Sequence, residues 1–221
     1  MADSNRKLWL RFDGVDEATA VVDSSPVTKT VTPAGAFALD TSQYKFGSAS
    51  GLFTTGDDVL TVTDHADFTL GAAWTIECWL NSSVVDASYW RHYVDATHLL
   101  VCNIISDVVR LIFKNGAIDV DVAGTTPVSA DNWHHLAFTF DGTTARVFLD
   151  GALDKSVVGN CTVPDFAVNP AINYGGHVRG WLDEFAIFNA CKYTASFTPR
   201  GPRGSTVAAL DAYLKGLGYG C

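Results

Sequence analysis

The chain has little that would cross-link it, carry it through a membrane or hold a polyanion. Its 221 residues include five cysteines, one methionine and seven prolines. Cys78, Cys102, Cys161, Cys191 and Cys221 are odd in number and never spaced as a C-x-x-C pair, which argues against a disulfide framework and against a cysteine metal site. Cys78 and Cys102 fall in apolar strand patterns and read as small core residues. No run of 18 apolar residues occurs, so no membrane-spanning helix is expected. The opening Met-Ala-Asp-Ser-Asn-Arg-Lys has no apolar segment of the kind a signal peptide needs. The expectation is a chain made and folded in a cytosol, with the glycosylation sequons at Asn81 and Asn160 idle. Basic residues are scarce as well. Fifteen Lys and Arg stand against 24 Asp and Glu, a net charge of -9, which excludes the counterion-displacing face of a nucleic-acid binder. The few cations gather near the ends, at Arg6, Lys7, Arg11, Lys192, Arg200, Arg203 and Lys215. That pattern suits either docking on an acidic partner or plain solvated charge.

What is present is apolar and aromatic. Nearly half the residues are hydrophobic (48%), with 6 Trp, 13 Phe and 7 Tyr, enough to build a substantial core. Strand signals recur at 7–12, 59–63, 74–80, 99–105, 108–114, 117–122, 133–140, 144–149, 171–174 and 178–188, with weaker ones at 29–31 and 37–39. Gly-containing turns at Asn115-Gly116, Asp141-Gly142 and Asp150-Gly151 separate several of them, and Ser106-Asp107 joins a further hairpin. Residues 15–50 are rich in Thr, Ser, Ala, Gly and Pro and read as a long, partly irregular excursion. No repeat and no alternation of helix with strand is visible. The expected fold is all-β, a two-sheet antiparallel jelly-roll sandwich over residues 1–199.

Beyond Pro199 the character changes. Residues 200–204 read as a linker, and Ser205 caps a short helix over 206–215 whose apolar stripe is Val207, Leu210 and Leu214. A lone helix of about ten residues is marginal in water and must dock, on its own sandwich or on a neighbouring subunit. Residues 200–221 are therefore expected to be an assembly extension, with Val207, Leu210 and Leu214 as its contacts and a homo-oligomer as the outcome.

The segment from Gly180 to Phe188 is the richest. Strict alternation puts Trp181, Phe185 and Ile187 on one side and Leu182, Ala186 and Phe188 on the other. The same alternation sends the adjacent Asp183 and Glu184 to opposite faces, so one carboxylate needs a partner in apolar surroundings. Together with Leu10-Arg11-Phe12-Asp13-Gly14, Tyr44-Lys45-Phe46-Gly47, Trp74-Thr75-Ile76-Glu77-Cys78-Trp79, Asn132-Trp133-His134-His135-Leu136 and Phe148-Leu149-Asp150-Gly151, this segment resembles laminin-G-like, concanavalin A-type lectin and glucanase jelly rolls over residues 8–199. The following Tyr193-Thr194-Ala195-Ser196-Phe197-Thr198-Pro199 is similar to a form found in tailed-phage virion proteins. The resemblance implies glycan binding, protein binding or a structural role, and fold alone does not choose among them.

Candidate chemistry is sparse. Asp119 and Asp121 share a strand face, as glucanase carboxylates do, but three apolar residues fill the other face, so a solvated strand side is the simpler reading. His134 and His135 point to opposite faces and cannot chelate one ion; one is expected in the core. The resemblance implies a calcium site between Asp13 and either Asp183 or Glu184; the alternative is pairing with Arg11, Arg146 or Arg179, or with backbone N–H groups. Tyr89, Trp90, Arg91 and Tyr93, around His92, read as an irregular aromatic loop for a glycan or a protein partner. The expectation is a non-enzymatic structural protein of a phage virion, decorating the capsid or forming part of a tail or fibre. Its partners would be the major capsid or other virion proteins. The alternative is a lectin-like module that attaches to polysaccharide.

Overall fold

The structure, a computed structural model, describes residues 4–83, 86–173 and 178–199. In chain order the strands are β1 (Arg6–Leu10), β2 (Val31–Ala34), β3 (Ala38–Asp40), β4 (Ser50–Phe53), β5 (Val59–Val62), β6 (Trp74–Ser82), β7 (Ala87–Asp95) and β8 (His98–Ile105). They continue with β9 (Val108–Asn115), β10 (Ile118–Pro127), β11 (Trp133–Phe140), β12 (Thr144–Leu149), β13 (Ala152–Val158), β14 (Ala171–Ile172) and β15 (Gly180–Phe188). One sheet has eight strands in the order β13-β12-β11-β6-β15-β4-β3, with β1 also paired to β15. The other has seven, in the order β10-β9-β8-β7-β14-β5-β2. All pairings are antiparallel. This is the expected two-sheet sandwich. The extension, with Val207, Leu210 and Leu214, lies outside the described residues.

Period-two alternation fills the interior. Trp74, Ile76, Cys78 and Leu80 of β6, Leu136, Phe138 and Phe140 of β11, and Leu182, Phe185 and Ile187 of β15 face Leu100, Cys102 and Ile104 of β8 and Val109, Leu111 and Phe113 of β9. Burying each such side chain stabilises the fold by roughly 1.5–3 kcal/mol. The Trp74 indole N–H donates to the Cys161 carbonyl at 2.8 Å, so even the polar edge of that ring is satisfied inside.

Two bulges overturn strict alternation. In β15 the register against β6 shifts between Asp183 and Ala186, and Glu184 sits at φ 50°. The extra residue resets the parity. Trp181 therefore joins Ala186 and Phe188 on the outer side, while Leu182, Phe185 and Ile187 share the core. In β7 the register shifts between Ser88 and Trp90, which turns the neighbouring Tyr89 and Trp90 both inward.

The eight-stranded sheet is covered on both faces along most of β6, β11 and β15, with Trp79, Trp133 and Trp181 partly exposed. Its outer cover is the segment after β15. Tyr193 and Phe197 stack at 3.5 Å between centroids, and Phe148 meets both rings edge-on. Phe197 also meets His135, and its backbone N–H donates to the Gly151 carbonyl at 2.8 Å. Gly151, at φ 80°, is where this strap lands; a Cβ there would stand 2.0 Å from the Phe197 carbonyl oxygen. Gly151→Ala thus combines left-handed strain with a backbone collision. It is expected to lower the unfolding free energy by about 2 kcal/mol or more, read from urea denaturation beside a Val158→Ala control on the exposed edge strand.

Candidate functional site

Residues expected to form an aromatic loop form a strand instead. Tyr89 and Trp90 are fully buried, and Trp90 stacks on Phe185 at 5.6 Å. Neither can meet a ligand. His92 also points inward, its Nε2 3.0 Å from the Val168 carbonyl, and burial lowers its pKa. Arg91 and Tyr93, at the alternate positions, stand on the outer face of the seven-stranded sheet. The Arg91 guanidinium lies 3.9 Å from the centre of the Tyr93 ring.

That face has a definite composition. Tyr93 aligns with Leu99, Lys114 and Asp119; Arg91 with Val101, Ile112 and Asp121; Asn103 with Arg110 and Ala123. Its charges are matched. Arg110 Nε donates to Asp121 Oδ1 at 2.7 Å, and Lys114 lies 3.0 Å from Asp119. The two aspartates considered as a catalytic pair are thus each engaged by a cation from β9. At the centre, Asn103 is only 5% exposed, and its Oδ1 accepts no hydrogen bond from any described residue. A buried amide oxygen without a donor costs about 1–3 kcal/mol, and such groups are rare in folded proteins. Sequence reading passed over Asn103, Arg110 and Ile112. The available signal was an amide at an alternate position of the apolar run Leu99, Val101, Asn103, Ile105.

The remaining candidates have structural roles. His135 is buried, edge-on to Trp79 at 5.1 Å, whereas His134 Nδ1 lies 2.8 Å from Asp150 and its Nε2 2.8 Å from the Ser129 hydroxyl. Both carboxylates of β15 point outward, since the bulge cancels the alternation that would have separated them. Asp183 Oδ2 accepts the Lys45 and Phe46 N–H groups at 2.9 and 2.8 Å, and Oδ1 accepts the Glu184 N–H at 2.7 Å. Glu184 accepts the Trp9 indole N–H at 2.9 Å. The Arg11 guanidinium stands between Glu184 and Asp13, 3.9 and 2.7 Å away. Among the described residues no three His, Cys, Asp or Glu side chains converge as a metal site. Backbone N–H donors and a guanidinium occupy the oxygens that calcium would need, so this corner does not fit the ion. Cys78, Cys102 and Cys161 are buried, and burial pushes the Cys161 thiol up to about 12.

Residues 54–195 match the model of the concanavalin A-like lectin/glucanases superfamily. The chain belongs to that family. No curated protein sequence matches it significantly. Among solved structures, the binding domain of Paraclostridial Mosquitocidal Protein 1 superposes with a TM-score of 0.68 at 13% identity, over 86% of this chain and 50% of that one. Domain 4 of AbnA, a GH43 extracellular arabinanase from Geobacillus stearothermophilus in complex with arabinotriose, gives 0.66 at 16%, over 85% and 93%. The binding domain of Botulinum Neurotoxin DC in complex with SialylT gives 0.65 at 14%, over 86% and 49%. The chain thus spans about half of each toxin chain and nearly all of the arabinanase domain. These likenesses establish the shared fold.

Burial pushes the Asp183 carboxyl up to about 8 from an ordinary 3.8, even against its N–H donors. Between those values the folded chain keeps a proton that the unfolded chain has released. The contribution of Asp183 to stability is therefore complete below 3.8 and is lost as pH rises through about 8. His92, with its lowered pKa, acts in the opposite sense. Urea midpoints across this range for wild type and Asp183→Asn isolate the carboxyl. The variant's profile is expected to lose that decline. At the acidic end its stability is expected to fall by about 1–3 kcal/mol, because an amide NH₂ then meets a backbone donor.

Proposed function

We propose that this chain is a non-enzymatic, lectin-like module that binds a neutral oligosaccharide on the outer face of its seven-stranded sheet. The observation that carries the reading is the undonated amide oxygen of Asn103, which is in register with Arg110 and lies on the same face as the rows of Arg91 with Ile112 and of Tyr93 further along the strand. A sugar hydroxyl supplies the missing donor, and the half-exposed Tyr93 ring supplies a stacking surface. Arg110 and Lys114 are matched by Asp121 and Asp119, and the chain carries -9, so an uncharged glycan suits the face better than an acidic one. The arabinotriose complex of a similar domain supports this reading. No described carboxylate pair stands free for glycoside hydrolysis on this face, which favours binding without catalysis.

The virion reading rests on the resemblance at 193–199. Tyr193 and Phe197, which carry it, pack against Phe148 within the chain, and the residues assigned to anchoring lie outside the described ones. Attachment to capsid or tail proteins and homo-oligomer formation therefore draw no support from these contacts.

Calorimetric titration with arabinotriose, and with other neutral trisaccharides in parallel, tests the glycan reading. Saturable binding is expected for wild type. Tyr93→Ala and Asn103→Ala should each weaken it about tenfold, equivalent to about 1.4 kcal/mol, with unfolding midpoints preserved. Binding untouched by both substitutions, or no binding across the series, would remove this face from consideration.

A further inference from the structure

We infer a second glycan contact on the opposite side of the sandwich, where Trp133, Asn81 and Trp181 lie side by side on the outer face of the eight-stranded sheet. Asn81 of β6 is in register with Trp133 of β11 on one side and with Trp181 of β15 on the other. Registered neighbours on one face place their Cβ atoms about 5 Å apart, so the amide is flanked by two indoles. The parity is secure, because Cys78 and Leu80 of the same strand occupy the core.

Among the described residues, the sheet's own cover stops short of this row. The Tyr193 and Phe197 strap lies over Phe148 and His135. Phe46 packs edge-on against Trp79, and the Lys45 ammonium sits 4.2 Å from that ring. One row further on, Trp133 and Trp181 both keep part of their surface in solvent. Trp181 is also held in place, its indole N–H donating to Asp40 at 2.7 Å. A ring fixed before the ligand arrives loses little freedom when bound.

Asn81 supplies the independent observation. It is only 7% exposed, and its Oδ1 accepts no hydrogen bond from any described residue. An apolar side chain at this position would fill the gap between two indoles without leaving an acceptor unmet. The amide is accounted for by a donor that arrives from outside. A sugar is the ligand class that brings both complements at once, C–H faces for the indoles and hydroxyl donors for the amide oxygen. Of the charges bordering the row, Lys45 is engaged on Trp79 and Asp40 on Trp181, which suits an uncharged sugar. The site lies within a fully paired part of the sheet, between β11, β6 and β15, which leaves no strand edge for a peptide to extend. With a site on each face the module holds two polysaccharide segments together, and binding to a multivalent chain gains by avidity.

Native affinity electrophoresis of the full chain, in gels containing arabinan, xylan, mannan or mixed-linkage β-glucan, tests this. Retardation by at least one polysaccharide is expected in wild type and, reduced, in the Tyr93→Ala/Asn103→Ala variant. In that background Asn81→Ala or Trp181→Ala should restore free mobility. Asn81→Ala should also leave the urea midpoint unchanged or raised, since it removes an unmet acceptor; a purely structural amide would lower it. Retardation abolished by Tyr93→Ala/Asn103→Ala yet untouched by Asn81→Ala overturns the second site and leaves the first standing. The reverse pattern removes the first and keeps the second. Absence of retardation in all four gels overturns both. Loss of a dimer in light scattering on Trp181→Ala would instead assign the row to a second copy of this chain and overturn the glycan contact.

Discussion

The fold turns on one buried acid. Asp183 has no exposed surface, yet it sits on an interior strand of the larger sheet, where an unpartnered carboxylate would be prohibitively costly. Its oxygens are met by backbone N–H groups of Lys45, Phe46 and the adjacent Glu184. The bulge that frees the Glu184 N–H for this purpose also resets the parity of β15 and places Phe185 and Ile187 in the core. The same bonds pin the loop before β4, which brings Phe46 and Lys45 over Trp79. Removing the acid therefore disturbs a turn, a cover and a strand's register together.

Other aspartates work the same way. Asp58 collects N–H groups from Ala36, Thr54 and Thr55. Burial opposes its charge, but the bonds to Thr55, Thr54 and Ala36 prevail and lower its pKa. Asp23 ties Trp9, Ser25 and Lys29 together, and Asp141 closes the turn between β11 and β12. In a sandwich whose excursions run long, these carboxylates take the part that calcium or disulfides take elsewhere. The net charge of -9 is in good measure an internal resource, and so is weak evidence for a basic partner.

The hairpins were legible because their turns carry their own chemistry. Ser106 and Asp107 both adopt left-handed φ between β8 and β9, as a two-residue connection requires, and Gly116 at φ 64° continues the meander into β10. The two-sided burial of β15 was legible from its unbroken apolar run. Parity was not. A bulge leaves no mark in composition: Asp183-Glu184-Phe185 reads as ordinary alternation, and Ser88-Tyr89-Trp90 reads as loop. The stretch is a strand, and its bulge adds a second neighbouring ring to the core, so that Tyr89 and Trp90 are both buried. The same blindness hid the site. Arg91 and Tyr93 read as loop residues, but the face is assembled from β7, β8 and β9, and Asn103 lies among residues that look like core.

Asn103 and Asn81 are the same physical anomaly on opposite faces. Each is an amide at an outward position of an interior strand, nearly closed off by its neighbours, with an oxygen that no described group satisfies. Natural sequences are locally consistent except where something other than stability holds a residue in place. Most polar groups at the centre of a sheet escape this tension by meeting a neighbour, as Thr75 and Thr139 do by donating to the Ala190 and Tyr193 carbonyls of the strap. Those two threonines show what this sheet does with polar side chains that serve only the fold. The two asparagines depart from that practice, and Asn81 stands between two indoles that keep part of their surface in solvent.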